Sequence, residues 1–290
     1  MARDGRGGAT VKRIGFIMLS QPQARGSPIM PAVVRLLGEW GAKVEVLHPE
    51  RQLLDLSRLR VDQDLYVLKA RTDMALTVAG CLHAQGAAIL NSYPVSMMLR
   101  DKIVSARILQ RAGVPTPKAY VASHPRQLGR LLEEGPLVIK PYRSGGGGAH
   151  VVWDADDLDG LPIDQEPLFA QRFHRPDGPD RRLYSIKGQV FGVLRPSQPR
   201  AYEQALGEPF TVAPDLREIA LRCGEAFGID LYGVDVVMSE GTPFVVDVSS
   251  FPGFKGVPDA ALRLADYINW VVDRVLAGEP LTAPRRKVTT

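Results

Sequence analysis

Residues 233–254 (GVDVVMSEGTPFVVDVSSFPGF) hold two aspartates, each set inside a strongly apolar run, with a turn containing Gly241 between the runs. Two such runs fold as a hairpin, and pairing about Gly241 sets Asp235 opposite Asp247 to within one residue of register. Carboxylates that face each other across a ladder have Cβ atoms about 5 Å apart and repel, so the pair calls for a cation. Ser249 follows Asp247 by two residues and shares its face if the strand continues that far. Two carboxylates, a hydroxyl and phosphate oxygens compose a hard-oxygen site suited to Mg²⁺. The competing reading is two solvated aspartates on an exposed hairpin face.

Residues 136–150 (PLVIKPYRSGGGGAH) join an apolar strand ending in Lys140 to four consecutive glycines, Gly145, Gly146, Gly147 and Gly148. A linker would have polar flanks, whereas a second apolar piece, 149–153, follows here. Glycines in a short hairpin loop let backbone N–H groups approach phosphate oxygens with no Cβ in the way, so the loop can close over a triphosphate. It is neither a Walker A motif, since no Gly-Lys-Ser/Thr follows, nor a dinucleotide fingerprint, since no helix opens behind it. A further hairpin, 180–197, turns at Lys187-Gly188 and pairs Asp180 with Arg195, with Arg182 on the same face. Arg182 and Arg195 can contact a phosphoryl group or an acidic substrate with Asp180 orienting them; a surface salt bridge is the bland alternative. Lys102, one turn into a helix, adds charge for the triphosphate.

The elements that position these groups follow from periodicity. Residues 13–20 read as a strand buried on both faces, 31–40 as a helix stopped at Gly41, and 43–47 as a second strand. A third strand at 64–69, a helix at 75–85 and a short strand at 88–91 continue the alternation, which argues a parallel sheet with helices on its faces. Ligands of such sheets sit at the carboxyl ends of strands, where Ser20, Lys69, Arg71 and Asn91 lie, although polar residues end most strands. After an amphipathic helix at 100–111 and a stiff connector at 113–117, the pattern changes to hairpins. Strands are expected at 137–140, 167–173, 182–187, 189–195, 233–238 and 244–248, with helices at 214–227 and 260–277. The second half is α+β, with the boundary near residue 100.

Composition excludes several classes. The chain has 290 residues, 45 % hydrophobic and 23 % charged, and its net charge of +4 lies partly in the two tails. No stripe of Lys and Arg interleaved with aromatics marks a nucleic-acid interface. Cys81 and Cys223 are far apart and lack partners at metal spacing. No apolar run reaches the roughly 18 residues of a membrane span, and residues 1–10 lack the core of a signal peptide, so a cytoplasmic protein is expected.

The ordered set of short motifs resembles the ATP-grasp superfamily over residues 13–277. It runs through Asn91-Ser92, Arg100-Asp101-Lys102, the 113–117 connector, Ile139-Lys140-Pro141, the glycine loop, 171–173, 180–182, Gly233-Val234-Asp235 and 247–253. The resemblance implies a mixed α/β and α+β ATP-grasp fold. After a disordered tail at 1–12 comes an N-terminal parallel α/β domain, 13–99, then an ATP-grasp domain, 100–280, and a second tail at 281–290. Within the ATP-grasp domain a small subdomain, about 115–170, and a large one, 174–280, clasp the nucleotide around a hinge at 169–173. It further implies that Lys102 and Lys140 contact nucleotide phosphates and that the hinge backbone, with Gln171, Arg172 and Phe173, bonds adenine. Asp235, Asp247 and Ser249 fall at its metal positions, ATP and Mg²⁺ are its cofactors, and dimers are common for the fold.

The first half is most similar to amino-acid ligases of the RimK type, which join an activated carboxylate to an amine. The Asp-Val-Ser-Ser-Phe-Pro-Gly segment and Arg195-Pro196-Ser197 resemble instead the inositol trisphosphate 5/6-kinases. Ser249 departs from both patterns, and Arg172 stands where an acidic residue is usual. A ligase acting on a small, anionic substrate is the leading expectation, with Lys140, Arg182 and Arg195 as its catalytic candidates. A kinase acting on a polyol or inositol-phosphate hydroxyl and a non-catalytic ATP-binding protein are the alternatives.

Overall fold

The computed structural model describes residues 11–20, 27–143, 148–161, 166–195 and 206–282. Gly145, Gly146 and Gly147, and likewise Pro196 and Ser197, lie outside the described residues. The chain opens with β1 (Arg13–Ile17), α1 (Ile29–Glu39), β2 (Lys43–Leu47), β3 (Leu65–Leu68), α2 (Asp73–Ala84) and β4 (Ile89–Leu90). The four strands pair in parallel in the order β2-β1-β3-β4. The inner strands are apolar throughout because both faces are covered: Ile14, Phe16, Leu65 and Val67 are fully buried. Gly15 in β1 is required by this packing, since a Cβ there would lie 2.9 Å from both Gln63 and the Tyr66 ring. Thr72 starts α2, its hydroxyl accepting the Ala75 N–H at 3.2 Å.

The helix expected at 100–111 starts two residues later, as α4 (Lys102–Arg111), and a helix that was not expected, α3 (Tyr93–Arg100), comes directly before it. Asp101 separates them: its backbone is extended, and its carboxylate accepts the N–H groups of Ile103 and Val104 at 2.9 and 3.0 Å. Asp101 is therefore the N-cap of α4. Lys102 is the first residue of α4 rather than one turn in, and its N–H donates to the Tyr142 carbonyl at 2.8 Å. The lysine is thereby anchored beside the strand that carries Lys140.

The small antiparallel sheet comprises β5 (Ala119–Ala122), β6 (Leu137–Pro141), β7 (His150–Val152) and β8 (Leu168–Arg172), in the order β5-β8-β6-β7. A 3-10 segment, Pro125–Glu134, and the short α5 (Ala155–Asp159) cover it, burying Leu128, Leu137, Ile139 and Leu158 in a core of their own. The large sheet comprises β9 (Asp180–Ile186), β10 (Gln189–Arg195), β11 (Glu208–Phe210), β12 (Leu231–Ser239) and β13 (Thr242–Ser249), in the order β11-β10-β9-β12-β13. Its lower face packs on α6 (Pro214–Phe227), where Leu183, Val234 and Val236 meet Ile219, Ala220 and Cys223. By the two-residue strand period, Arg182 and Asp235 turn to the opposite face.

The last helix, α7 (Ala260–Leu276), packs on α1 of the N-terminal layer. One continuous core joins Phe16, Val33 and Leu37 to Tyr184, Phe254, Tyr267 and Ile268. The end of the chain thus packs back on its N-terminal layer, which locks the parallel sheet against the large antiparallel one. Among the described residues no helix is long and apolar enough to cross a membrane.

Candidate active site

The paired aspartates stand where the hairpin argument puts them. Glu240 and Gly241 both have positive φ, 51° and 73°, the left-handed pair that matches the twist of a two-residue hairpin turn. Asp177 holds this turn, its carboxylate accepting the N–H groups of Glu240 and Gly241, each at 2.9 Å. The register places Asp235 directly across from Asp247, with a bulge immediately after, between Asp235 and Val236.

On the other side of β12 lies β9, and its register sets Arg182 across from Asp235. Arg182, Asp235 and Asp247 therefore form a row across three adjacent strands. One nitrogen of the Arg182 guanidinium ion-pairs with Asp235, and the other donates to the Ser249 hydroxyl at 2.6 Å. Lys102 reaches the far end of the row, its Nζ 3.8 Å from Asp247 Oδ1. The cation demanded by facing carboxylates is thus supplied from both flanks by the protein itself, so the pair alone does not require a metal. Burial pushes Asp247 above the ordinary carboxylate range, with Lys102 and Arg182 pulling it down and Asp235 pushing it up. For Arg182, burial works against the charge, and the Asp235 carboxylate outweighs it, raising the guanidinium further.

Lys140, near the end of β6, donates to Gln171 Oε1 at 2.8 Å and to the Val246 carbonyl at 3.3 Å. It links the small sheet to the strand that carries Asp247. Burial lowers its pKa, opposed by Asp247, so a mostly buried ammonium sits here with no salt-bridged carboxylate of its own among the described residues. Lys140→Ala is expected to weaken binding of a non-hydrolysable ATP analogue by about tenfold or more, from the loss of one charge-assisted contact. Equilibrium binding measured by calorimetry checks this, and an unchanged affinity would remove Lys140 from the phosphate site.

Other candidates are placed differently. The Arg172 side chain turns outward from β8: it bonds the carbonyls of Leu131 and Gly135, pairs with Glu134 at 3.2 Å and stacks over Tyr120. It closes the end of the 3-10 segment. Its own N–H and that of Phe173 bond the carbonyls of Lys118 and Pro136 at 2.8 and 3.0 Å. Phe173 meets Trp153 edge to face at 5.6 Å. Gly148 is exposed and open.

Asp180 faces Arg195 in register, yet neither arginine pairs with it. Arg195 donates to the Tyr184 hydroxyl, and the Arg182 and Arg195 guanidiniums lie 5.7 and 5.8 Å from the Tyr184 ring centre. Tyr184 and not Asp180 orients the two arginines. Its position two residues after Arg182 was the signal for a shared face, though not for the contact.

Asp235 and Asp247 are the carboxylates able to hold a divalent cation, and no group of three His, Cys, Asp or Glu side chains is assembled among the described residues. Two carboxylates suffice for Mg²⁺ when nucleotide phosphates complete its shell. Burial is the main reason the Asp247 carboxyl is raised, and the neighbouring cations Lys102, Arg182 and Lys140 oppose it. The donor set fits the ion.

A parallel sheet, a small antiparallel sheet bearing a lysine and a large antiparallel sheet bearing paired carboxylates make up the architecture of an ATP-grasp protein. The chain belongs to the RimK-like ATP-grasp domain family, whose pattern matches residues 99–268. Over 233 residues it is 26 % identical to "Probable alpha-L-glutamate ligase 2" of Hahella chejuensis, covering 72 % of this chain and 76 % of that protein. It is 24 % identical over 206 residues to "Probable alpha-L-glutamate ligase" of Parasynechococcus marenigrum, covering 64 % of this chain and only 44 % of that protein. The crystal structure of a RimK domain protein from Sphaerobacter thermophilus superposes with a TM-score of 0.71 at 20 % identity, over 91 % of this chain and 99 % of that one.

Proposed function

We propose that this RimK-like ATP-grasp ligase phosphorylates a substrate carboxylate with ATP and joins the product to the amine of an acidic amino acid. The observation that carries this reading is the row Arg182, Asp235, Asp247, flanked by Lys102 and Lys140, where the large and small antiparallel sheets and α4 meet. Fixed cations and carboxylates of this kind suit phosphoryl transfer, in which the protein mainly positions the reactants and stabilises charge. The names borne by the glutamate-ligase relatives support an acidic amino acid as the amine.

Lys140 and Lys102 neutralise the triphosphate, and Arg182, held by Asp235 and Tyr184, faces the transferring group. Asp235, Asp247 and the Ser249 hydroxyl would hold Mg²⁺, which would supply Lewis-acid neutralisation of phosphoryl charge. The carboxylate oxygen takes the γ-phosphoryl group and ADP leaves. The amine nitrogen then bonds to the acyl carbon, the bond from that carbon to the phosphate oxygen breaks, and the amine's surplus proton passes to solvent. No nucleophile from the protein is needed.

Incubation with ATP, Mg²⁺ and a panel of amino acids and polyols, followed by mass spectrometry, tests this reading. Condensation with release of ADP and phosphate is expected. Phosphate added to a hydroxyl without condensation would make the chain a kinase, and no turnover would leave an ATP-binding protein.

A further inference from the structure

The ladder between β12 and β13 ends at the pair Gly233 and Ser249. Past that pair the two strands no longer bond each other, and donors come from the N-terminal sheet instead. Asn91 directly follows β4, and its amide NH₂ donates to the Leu231 carbonyl at 2.6 Å and to the Ser250 carbonyl. Lys69 directly follows β3, and its Nζ donates to the Phe251 carbonyl at 3.0 Å. Asn91, Leu231, Ser250 and Phe251 are all buried, so water does not compete for these bonds. Lys69 and Asn91 stand at strand ends, where ligands of parallel sheets sit, yet both turn onto the backbone of the hairpin. The carboxyl ends of two parallel strands thus grip its open end, as Asp177 grips its turn.

The gripped end is the seat of Arg182. Arg182 Nη2 donates to the Ser249 hydroxyl at 2.6 Å. A Cβ on Gly233, the partner of Ser249, would lie 3.1 Å from the same Nη2 and 2.9 Å from Pro252 Cγ. The guanidinium therefore lies directly on the last pair of the ladder, where glycine leaves it room. The Arg182 Nε is buried and finds no acceptor among the described residues. Its aim depends instead on Asp235 and Ser249, one on each strand of the hairpin, and so on the spacing of the two strands at this end.

We infer that Asn91 and Lys69 are positioning residues for the reaction: by holding the carbonyls of Leu231, Ser250 and Phe251 they fix the spacing of β12 and β13 at the Gly233–Ser249 pair, and with it the aim of Arg182. The kinetic consequence rests on the reading of Arg182 as the group that faces the transferring phosphoryl; the geometric one does not. The residue types suit the task. One amide NH₂ carries two hydrogens and can bridge a carbonyl from each strand, and an ammonium makes the stronger, charge-assisted bond to the third.

The test compares the full chain as wild type, Asn91→Ala, Lys69→Met and Thr72→Ala, isotope-labelled in its arginine nitrogens and observed by NMR. Thr72→Ala removes the cap of α2 in the same layer and controls for lost stability alone. The Arg182 Nε–H signal, assigned by its absence in Arg182→Met, reports the guanidinium. Asn91→Ala is expected to shift or broaden that signal. In turnover of ATP it should lower kcat about ten- to a hundredfold, the effect of a misplacement on the order of 1 Å, with KM for ATP unchanged. Lys69→Met should move the same signal, and it decides the matter if the Asn91 variant does not fold. Thr72→Ala should leave the signal and kcat as they are. An Arg182 signal that stays at its wild-type position in both variants overturns the inference, as does one that moves equally in Thr72→Ala. The ligase reading fails separately. A moved signal without any condensation would sink that reading and keep the positioning role, whereas condensation with an unmoved signal would do the reverse.

Discussion

Asp247→Asn is expected to lower Mg²⁺-dependent turnover by about 10²–10³-fold, the range seen when one preorganised electrostatic partner is lost, while the protein stays folded. The two effects separate because of where the carboxylate sits. Asp247 lies in the middle of a paired strand, 3.8 Å from Lys102, and burial raises its pKa above the ordinary range. A carboxylate whose pKa is raised on folding favours the folded state most when protonated, and loses that advantage as pH rises through the raised value. At neutral pH its charge is therefore held at some cost, which an isosteric amide removes while giving up the attraction of Lys102 and Arg182. The net change in stability should stay within about 1 kcal/mol. Turnover measured across a Mg²⁺ titration, with a thermal melt of the same sample, checks both halves; wild-type turnover would remove the metal assignment.

Arg182→Met should cost stability as well as activity. The Arg182 side chain is only 11 % exposed, and it bonds Asp235 and Ser249 at once. Removing it leaves Asp235 beside Asp247 with no guanidinium between β9 and the pair. Breaking a buried pair costs about 3–5 kcal/mol; Asp235 is 34 % exposed, so water screens part of this and about 2–3 kcal/mol is expected. For a chain of this size that is a fall of roughly 4–12 °C in Tm. Adding Asp235→Asn should restore much of the stability and none of the turnover, since the second change removes the stranded charge but not the lost phosphoryl contact. Melting curves of the two single variants and the double variant measure the coupling. Additive losses would show that Arg182 and Asp235 act independently.

Most of the elements were legible because their periodicities are strong. β2, β10 and α6 end where the apolar pattern ends, and the β12–β13 register was set by a turn that needs positive φ at Gly241. What escaped was short or not α-helical: α3, the 3-10 segment at Pro125–Glu134, and the short β5, β11 and α5. The start of α4 was placed two residues early because a capping aspartate at Asp101 reads like one polar position of the helix itself. Arg172 shows another limit. Its departure from the usual acidic hinge residue was visible, but its role as a closure for the 3-10 segment depends on carbonyls at Leu131 and Gly135 that only the fold brings near.

The paired aspartates with which the reading began came from local rules alone, since a short turn and a two-residue period fix which residues face each other across one hairpin. Nothing local could say what stands on the far side of β12. That neighbour is β9, some 50 residues earlier in the chain, and its register brings Arg182 to Asp235 while α4 brings Lys102 to Asp247. Strand order and helix placement are set by burying the apolar faces of all the elements together, so the charges that surround the two carboxylates were decided only when the whole chain packed.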